Sequence, residues 1–167
     1  YLWNPETGER KPYFFEELSN KLDITLEPLQ SLLIVFENEK PAVKTENAKV
    51  QLRDSKIIKT NWTVVGKRVD NENFTWNMNE LLDFGASKNP IQNTFAGDII
   101  YKTKIIIEEG FTHLDLGDVN EGITELYING KKVGKRWYGK AIYPLIDVLE
   151  EGENEIEIRY TTVLANY

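Results

Sequence analysis

Ile123-Thr124-Glu125-Leu126-Tyr127-Ile128-Asn129-Gly130-Lys131-Lys132-Val133-Gly134 reads as one β-hairpin. Ile123 to Ile128 supplies the entering strand, and Lys131 to Gly134 starts the return. Asn129-Gly130 makes the turn, because both residues tolerate the positive φ of a two-residue hairpin loop. The same alternation continues on both sides. Downstream, Ile156, Ile158 and Tyr160 point one way, and Glu155, Glu157 and Arg159 point the other. Upstream, Ile99, Tyr101, Thr103, Ile105 and Ile107 share one face of a strand within Phe95 to Ile107, since side chains alternate with period two. Between them, His113 to Gly117 places Leu114 and Leu116 inward and Asp115 outward.

The remainder fits the same pattern. Ser55 to Thr60 and Trp62 to Val69 are β-rich. Met78 to Phe84 reads as a short helical turn, Pro144 to Leu149 as a short helical or turn segment, and Glu151-Gly152-Glu153-Asn154 as another turn. Near the start, Asn4-Pro5-Glu6-Thr7-Gly8-Glu9 is a tight turn. Leu22 to Leu26 alternates like a half-buried strand. Leu32-Leu33-Ile34-Val35-Phe36 is a continuous apolar run, as in a strand covered on both faces. Glu37 to Glu46, with Pro41 inside it, is polar and reads as a linker. Short strands with turn signals about every 8–12 residues indicate an all-β sandwich or barrel. No helical pattern is long enough for a βαβ crossover.

Composition narrows the function. The chain has 167 residues, 41% of them hydrophobic and 11% aromatic, which is ample for a packed core. The net charge is −7, and the 20 Lys and Arg residues are scattered. Counterion release from a phosphate backbone needs concentrated cations, so nucleic acid is not an expected partner. An anionic membrane surface is disfavoured for the same reason, and no apolar run approaches the roughly 20 residues of a membrane-spanning helix. A neutral ligand such as a sugar suits this charge. The absence of Cys excludes disulfides, thiol catalysis and Cys-based zinc sites. The start at Tyr1-Leu2-Trp3-Asn4-Pro5 reads as a boundary inside a longer polypeptide.

The order of features in the final third is more specific than any one of them. Leu114-Asp115-Leu116-Gly117-Asp118-Val119 precedes Leu126-Tyr127-Ile128-Asn129-Gly130-Lys131-Lys132-Val133-Gly134. Trp137, Tyr143-Pro144, Ile146-Asp147-Val148-Leu149 and Glu151 to Ile158 follow. This order resembles the galactose-binding-like jelly-roll domains of glycoside hydrolases, those of the β-galactosidase (family 2) and α-L-rhamnosidase (family 106) groups being nearest. Leu2 to Glu9 with Leu29 to Phe36 looks like the segment between catalytic barrel and terminal sandwich in the rhamnosidase group. Phe95-Ala96-Gly97-Asp98-Ile99-Ile100-Tyr101 is similar to the strand that enters that sandwich.

The resemblance implies an all-β, galactose-binding-like jelly-roll sandwich over 41–167. Residues 1–40 would be the tail of a preceding β domain or a connecting segment. It also implies a secreted or periplasmic glycoside hydrolase whose acid and base carboxylates sit on a separate catalytic domain of the same polypeptide. Domains of this kind often hold a structural Ca²⁺, for which the local acidic loop of Asp115, Asp118 and Glu121 is the candidate.

The residues themselves offer little catalytic chemistry. The single His, His113, sits beside an alternating strand and reads as a strand-edge residue rather than a base. No nucleophile elbow, His-Glu-x-x-His or phosphate-cradling glycine loop is present. The 27 Asp and Glu are too many to single out an acid–base pair.

Carbohydrate binding has sharper candidates, because the C–H face of a sugar stacks on an aromatic ring. Trp62, Trp76, Trp137 and Tyr138 are the aromatics in view. Trp137-Tyr138-Gly139 lies in a loop after Arg136 and near Asn129, and loops carry function, so Trp137, Tyr138, Arg136 and Asn129 are the candidate carbohydrate-binding residues. For Trp137, packing of the sandwich or of a barrel stands beside sugar contact and carries the greater weight. Trp62 reads as core, and Trp3 as an anchor of the N-terminal segment. Asn61-Trp62-Thr63 and Asn73-Phe74-Thr75 match the glycosylation acceptor pattern, a common chance match. The expected role is therefore a non-catalytic accessory sandwich. An independent carbohydrate-binding module and a structural spacer are the alternatives.

Overall fold

The computed structural model describes residues 1–5, 8, 10–12, 22, 24–26, 31–38, 54–119 and 121–163. The chain divides into two units, Tyr1–Lys56 and Ile57–Tyr167. The expected boundary between residues 40 and 41 lies outside the described residues.

In the first unit, β1 (Leu2–Trp3) runs between β2 (Arg10–Lys11) and β3 (Leu33–Ile34), antiparallel to both. The Tyr1 ammonium donates to the Val35 carbonyl at 3.0 Å. Gly8 closes the turn, its N–H bonding the Asn4 carbonyl at φ 71°. Arg10 lies 3.7 Å from the Tyr1 ring centroid and 5.8 Å from that of Trp3, and it pairs with Glu37. Trp3 thus sits in a small sheet braced by one guanidinium. Two expectations fail here. The described residues of 22–26 form no strand. The run 32–36 gives only a two-residue strand, and its Leu33 and Phe36 are exposed, so it is not covered on both faces.

The second unit is a sandwich. Its larger layer contains β4 (Trp62–Arg68), β5 (Asn73–Met78), β6 (Gly97–Ile106), β8 (Ile123–Ile128), β9 (Lys131–Arg136) and β11 (Glu153–Thr161). They lie in the order β5-β4-β6-β11-β8-β9, and every neighbouring pair is antiparallel. The smaller layer pairs β7 (His113–Asp115) with β10 (Ile142–Pro144). A 3-10 turn (Phe84–Ala86) and α1 (Pro90–Asn93) bridge β5 and β6. Asn89 caps α1 by accepting from the Ile91 N–H, with Pro90 at the first position.

The expected alternation is present. On β6, Ile99, Tyr101 and Thr103 are buried between exposed Lys102 and Lys104. On β11, Ile156 and Ile158 are buried. They meet Val64, Leu126 and Ile128 from the same sheet, and Leu114, Ala141, Tyr143 and Leu145 from the smaller layer's segments. Each such Val, Leu or Ile contributes roughly 1.5–3 kcal/mol of burial. Trp62 is core, as its place in an apolar strand indicates. Trp76 packs edge-on against Phe84 (5.5 Å) and Phe95 (6.1 Å), closing the β5 side of the core.

Two polar devices fix the layers. The Tyr143 hydroxyl, fully buried, donates to the Thr124 carbonyl at 2.9 Å and lies 2.7 Å from the Thr124 hydroxyl. Asn129 and Asn154 join two turns, with Asn129 Nδ2 donating to Asn154 Oδ1 at 2.8 Å. The Glu155 N–H returns a bond to Asn129 Oδ1 at 2.9 Å.

The sequence pattern misplaced two strands. Residues 54–60 form none, since β4 is already flanked on both sides by β5 and β6 and Ile57 is 81% exposed. β5 went unread because Asn73, Thr75 and Asn77 dilute its three apolar positions.

Gly97 opens β6 at φ 149°, and a Cβ there would stand 2.1 Å from the Lys67 carbonyl oxygen. That oxygen is backbone in a neighbouring strand and cannot step aside. Gly97→Ala is expected to lose about 3 kcal/mol or more. Gly130→Ala, at φ 76° with no atom near the added methyl, should lose only about 1 kcal/mol. Urea midpoints of the two variants check the ranking.

Candidate functional site

The larger sheet presents two faces, one packed against the core and one open to solvent. Cross-strand register arranges the open face in rows. Lys102, Glu157, Tyr127 and Lys132 lie side by side on β6, β11, β8 and β9. Ile100, Arg159, Glu125 and Lys135 form the next row.

The first row and its neighbours are wired together. Lys102 Nζ is 2.6 Å from Glu157 Oε2, and Arg159 Nε donates to Glu157 Oε1 at 2.5 Å. The Arg159 guanidinium lies 4.2 Å from the Tyr127 ring centroid. The Tyr127 hydroxyl donates to Glu125 at 3.2 Å, and Lys132 donates to the other Glu125 oxygen at 2.5 Å. Burial raises the pKa of the Glu157 carboxyl, but the hydrogen bonds from Lys102 and Arg159 and their charges outweigh it and hold it low. The Lys132 hydrogen bond lowers the Glu125 carboxyl in the same direction. A glycosidase acid needs a raised carboxyl, whereas both of these are held low by their cation partners.

Beside this network runs a shallow groove. One stretch, of about 390 Å³, crosses from Asp98 and Ile100 over Arg159 and Thr161 to Glu125 and Lys135. A second, of about 460 Å³, is lined by Glu121, Gly122, Ile123, Lys135, Trp137 and Val163. Ile123 and Lys135 line both, so the two adjoin. The Thr161 hydroxyl donates to Asp98 at 2.7 Å. The Tyr160 hydroxyl donates to the Glu121 carbonyl at 3.2 Å, holding the loop before β8 against β11.

Of the four residues proposed for sugar contact, the structure brings two together. Trp137 is 58% exposed at the groove rim, and Tyr138 packs edge-to-face on it with centroids 5.0 Å apart. Arg136 and Asn129 are placed differently. The Arg136 guanidinium stands over the Tyr143 ring at 5.3 Å and donates to the Lys135 and Ile142 carbonyls. The Asn129 side chain is engaged by Asn154, Glu155 and Val148. Both hold backbone in place. Trp76 belongs to the aromatic side of the core.

Of the other candidates, Glu121 lines the groove beside Gly122, whereas Asp115, Asp118 and His113 do not. Asp115 accepts from the Gly117 N–H at 2.8 Å, and Asp118 and Glu121 are exposed. Among the described residues no group of three His, Asp or Glu side chains is placed to hold a metal ion. His113 Nδ1 lies 2.9 Å from the Thr112 hydroxyl on the edge of the smaller layer. Asn61 and Asn73 are exposed. The outer rows and the groove escaped sequence reading, because they depend on which strands become neighbours.

No protein-family model and no curated protein matches the chain. Solved structures do. A rhamnosidase from Novosphingobium sp. PP1Y matches with a TM-score of 0.60 and 22% identity, over 74% of this chain and 12% of that one. A β-glucuronidase from Ruminococcus gnavus matches with a TM-score of 0.51 and 13% identity, over 63% of this chain and 21% of that one. The fold is one that these glycoside hydrolases carry within longer chains. It is the all-β sandwich that the resemblance implied, and this chain spans about an eighth and a fifth of those two proteins.

Glu157 links the ion-pair network to stability. Its folded pKa is below the usual glutamate value of about 4.5, so its stabilisation is present above that pH. It is lost as pH falls through the folded pKa. Glu157→Gln is expected to cost about 1 kcal/mol at neutral pH, a modest value because Lys102 and Arg159 are half exposed. The gap to the parent should shrink as pH drops below about 4. Denaturant titrations at several pH values measure it.

Proposed function

We propose that this chain is a non-catalytic accessory β-sandwich of a secreted or periplasmic glycoside hydrolase, supporting a catalytic domain of the same polypeptide and contacting carbohydrate through the Trp137 loop. The observation that carries this reading is the fold match to small parts of two much longer glycoside hydrolases. Fold alone does not assign function, so the site must add to it. Two carboxylates of this face do not suit the acid of a glycosidase. The two carboxylates held by cations, Glu125 and Glu157, have lowered pKa values. Trp137 and Tyr138 supply an aromatic edge beside polar groups, which is what sugar contact requires. The exposure of Trp137 also favours sugar binding by this sandwich itself, in addition to a supporting role.

The chain is expected to hydrolyse no aryl glycoside. Its tryptophan fluorescence should respond to galactose- or rhamnose-containing oligosaccharides at up to millimolar concentration. Trp137→Ala should abolish that response while leaving the unfolding free energy within about 0.5 kcal/mol of the parent, since the side chain is exposed. Hydrolysis by the chain contradicts the non-catalytic role, and an unaltered response in the variant contradicts the assignment of the loop.

A further inference from the structure

We infer that the open face of the larger sheet is a cleft for an extended, uncharged oligosaccharide, with Trp137 at one end and the Asp98–Thr161 pair at the other. This rests on the reading of Trp137 as a sugar contact and adds the extent and charge of the ligand. The two stretches of groove adjoin at Ile123 and Lys135, and together their linings run from Trp137 past β8 and β11 to β6. Crossing from β9 to β6 takes three inter-strand steps, about 14 Å at roughly 4.8 Å each. One pyranose ring covers only part of that length. Each stretch falls within the roughly 300–1,000 Å³ usual for ligand sites.

Side-chain chemistry along the cleft selects against charge. Asp98 and Glu125 face Lys135 and Arg159, two carboxylates against two cations. Glu121 adds a further negative charge near Trp137. With three carboxylates, Asp98, Glu125 and Glu121, against two cations, Lys135 and Arg159, the lining offers donors and acceptors with no cationic excess to attract a uronate. A sugar hydroxyl both donates and accepts, so it fits such a lining. Ile100 and Ile123 provide apolar floor for the C–H faces between these polar groups.

Calorimetric titration of the full chain with galactose, galactobiose and galactotetraose, and with galacturonate oligomers of the same lengths, tests this. The neutral tetrasaccharide is expected to bind about tenfold or more tighter than galactose. The galacturonate oligomers should bind no tighter than their neutral counterparts, at low and at high salt alike. Trp137→Ala should weaken every length. Asp98→Ala, at an exposed position that leaves folding intact, should weaken the tetrasaccharide several-fold and galactose not at all. Equal affinity for all lengths, unaffected by Asp98→Ala, overturns the cleft while leaving the Trp137 contact standing. Tighter binding of galacturonate overturns the charge assignment. No binding of any of these sugars overturns the cleft and the Trp137 contact together.

Discussion

The pairing of β11 with β6 on one side and β8 on the other sets the rest of the sandwich. Glu153–Thr161 is held over nine register pairs with β6 and six with β8. Because side chains alternate with period two, this single register buries Ile156 and Ile158 and turns Glu157 and Arg159 outward. A slip of one residue would exchange the two sets and place an ion-pair network in the core. The Asn129–Asn154 link prevents such a slip, since it ties the β8–β9 turn to the start of β11 through side-chain and backbone bonds. Tyr143 then fixes the second layer to Thr124 of β8.

The same constraint that makes the core makes the outer face. Glu157 can sit low on an open sheet surface only because Lys102 and Arg159 are brought to it by register and by position along β11. Arg159 in turn covers Tyr127, and Tyr127 and Lys132 hold Glu125. The network contributes modestly to stability, as half-exposed ion pairs do. Its greater consequence is a stiff surface of defined polarity alongside the groove that leads to Trp137. A stiff surface loses little conformational entropy when it receives a ligand.

Much of the fold was legible in the sequence, for local reasons. Asn129-Gly130 specifies its own turn, with φ values of 51° and 76°, and the alternations on 99–107 and 155–160 name their buried sides. What was not legible is non-local. Ser55 to Thr60 has strand composition but finds no edge at β4, whereas Asn73–Met78 has weak strand composition and takes that edge through Phe74, Trp76 and Met78. The site divides in the same way. Trp137 and Tyr138 stand out as aromatics in a loop. Asn129 and Arg136 stand near them in sequence, yet their polar atoms are drawn to neighbouring backbone that only the folded chain supplies. Ile123, Lys135 and Asp98 carry no sequence signal, because they become neighbours only through the strand order.

Trp137 is proposed to mark a carbohydrate-contacting edge of the sandwich. Amide and indole chemical-shift mapping on the labelled chain, titrated with a neutral galactose tetrasaccharide, tests this most directly. The predicted outcome is a set of perturbations at the Trp137 indole, Ile123, Lys135 and the Asp98–Thr161 end of the sheet, with β7 and β10 unmoved. Perturbations confined to the smaller layer, or none at saturating sugar, would contradict it.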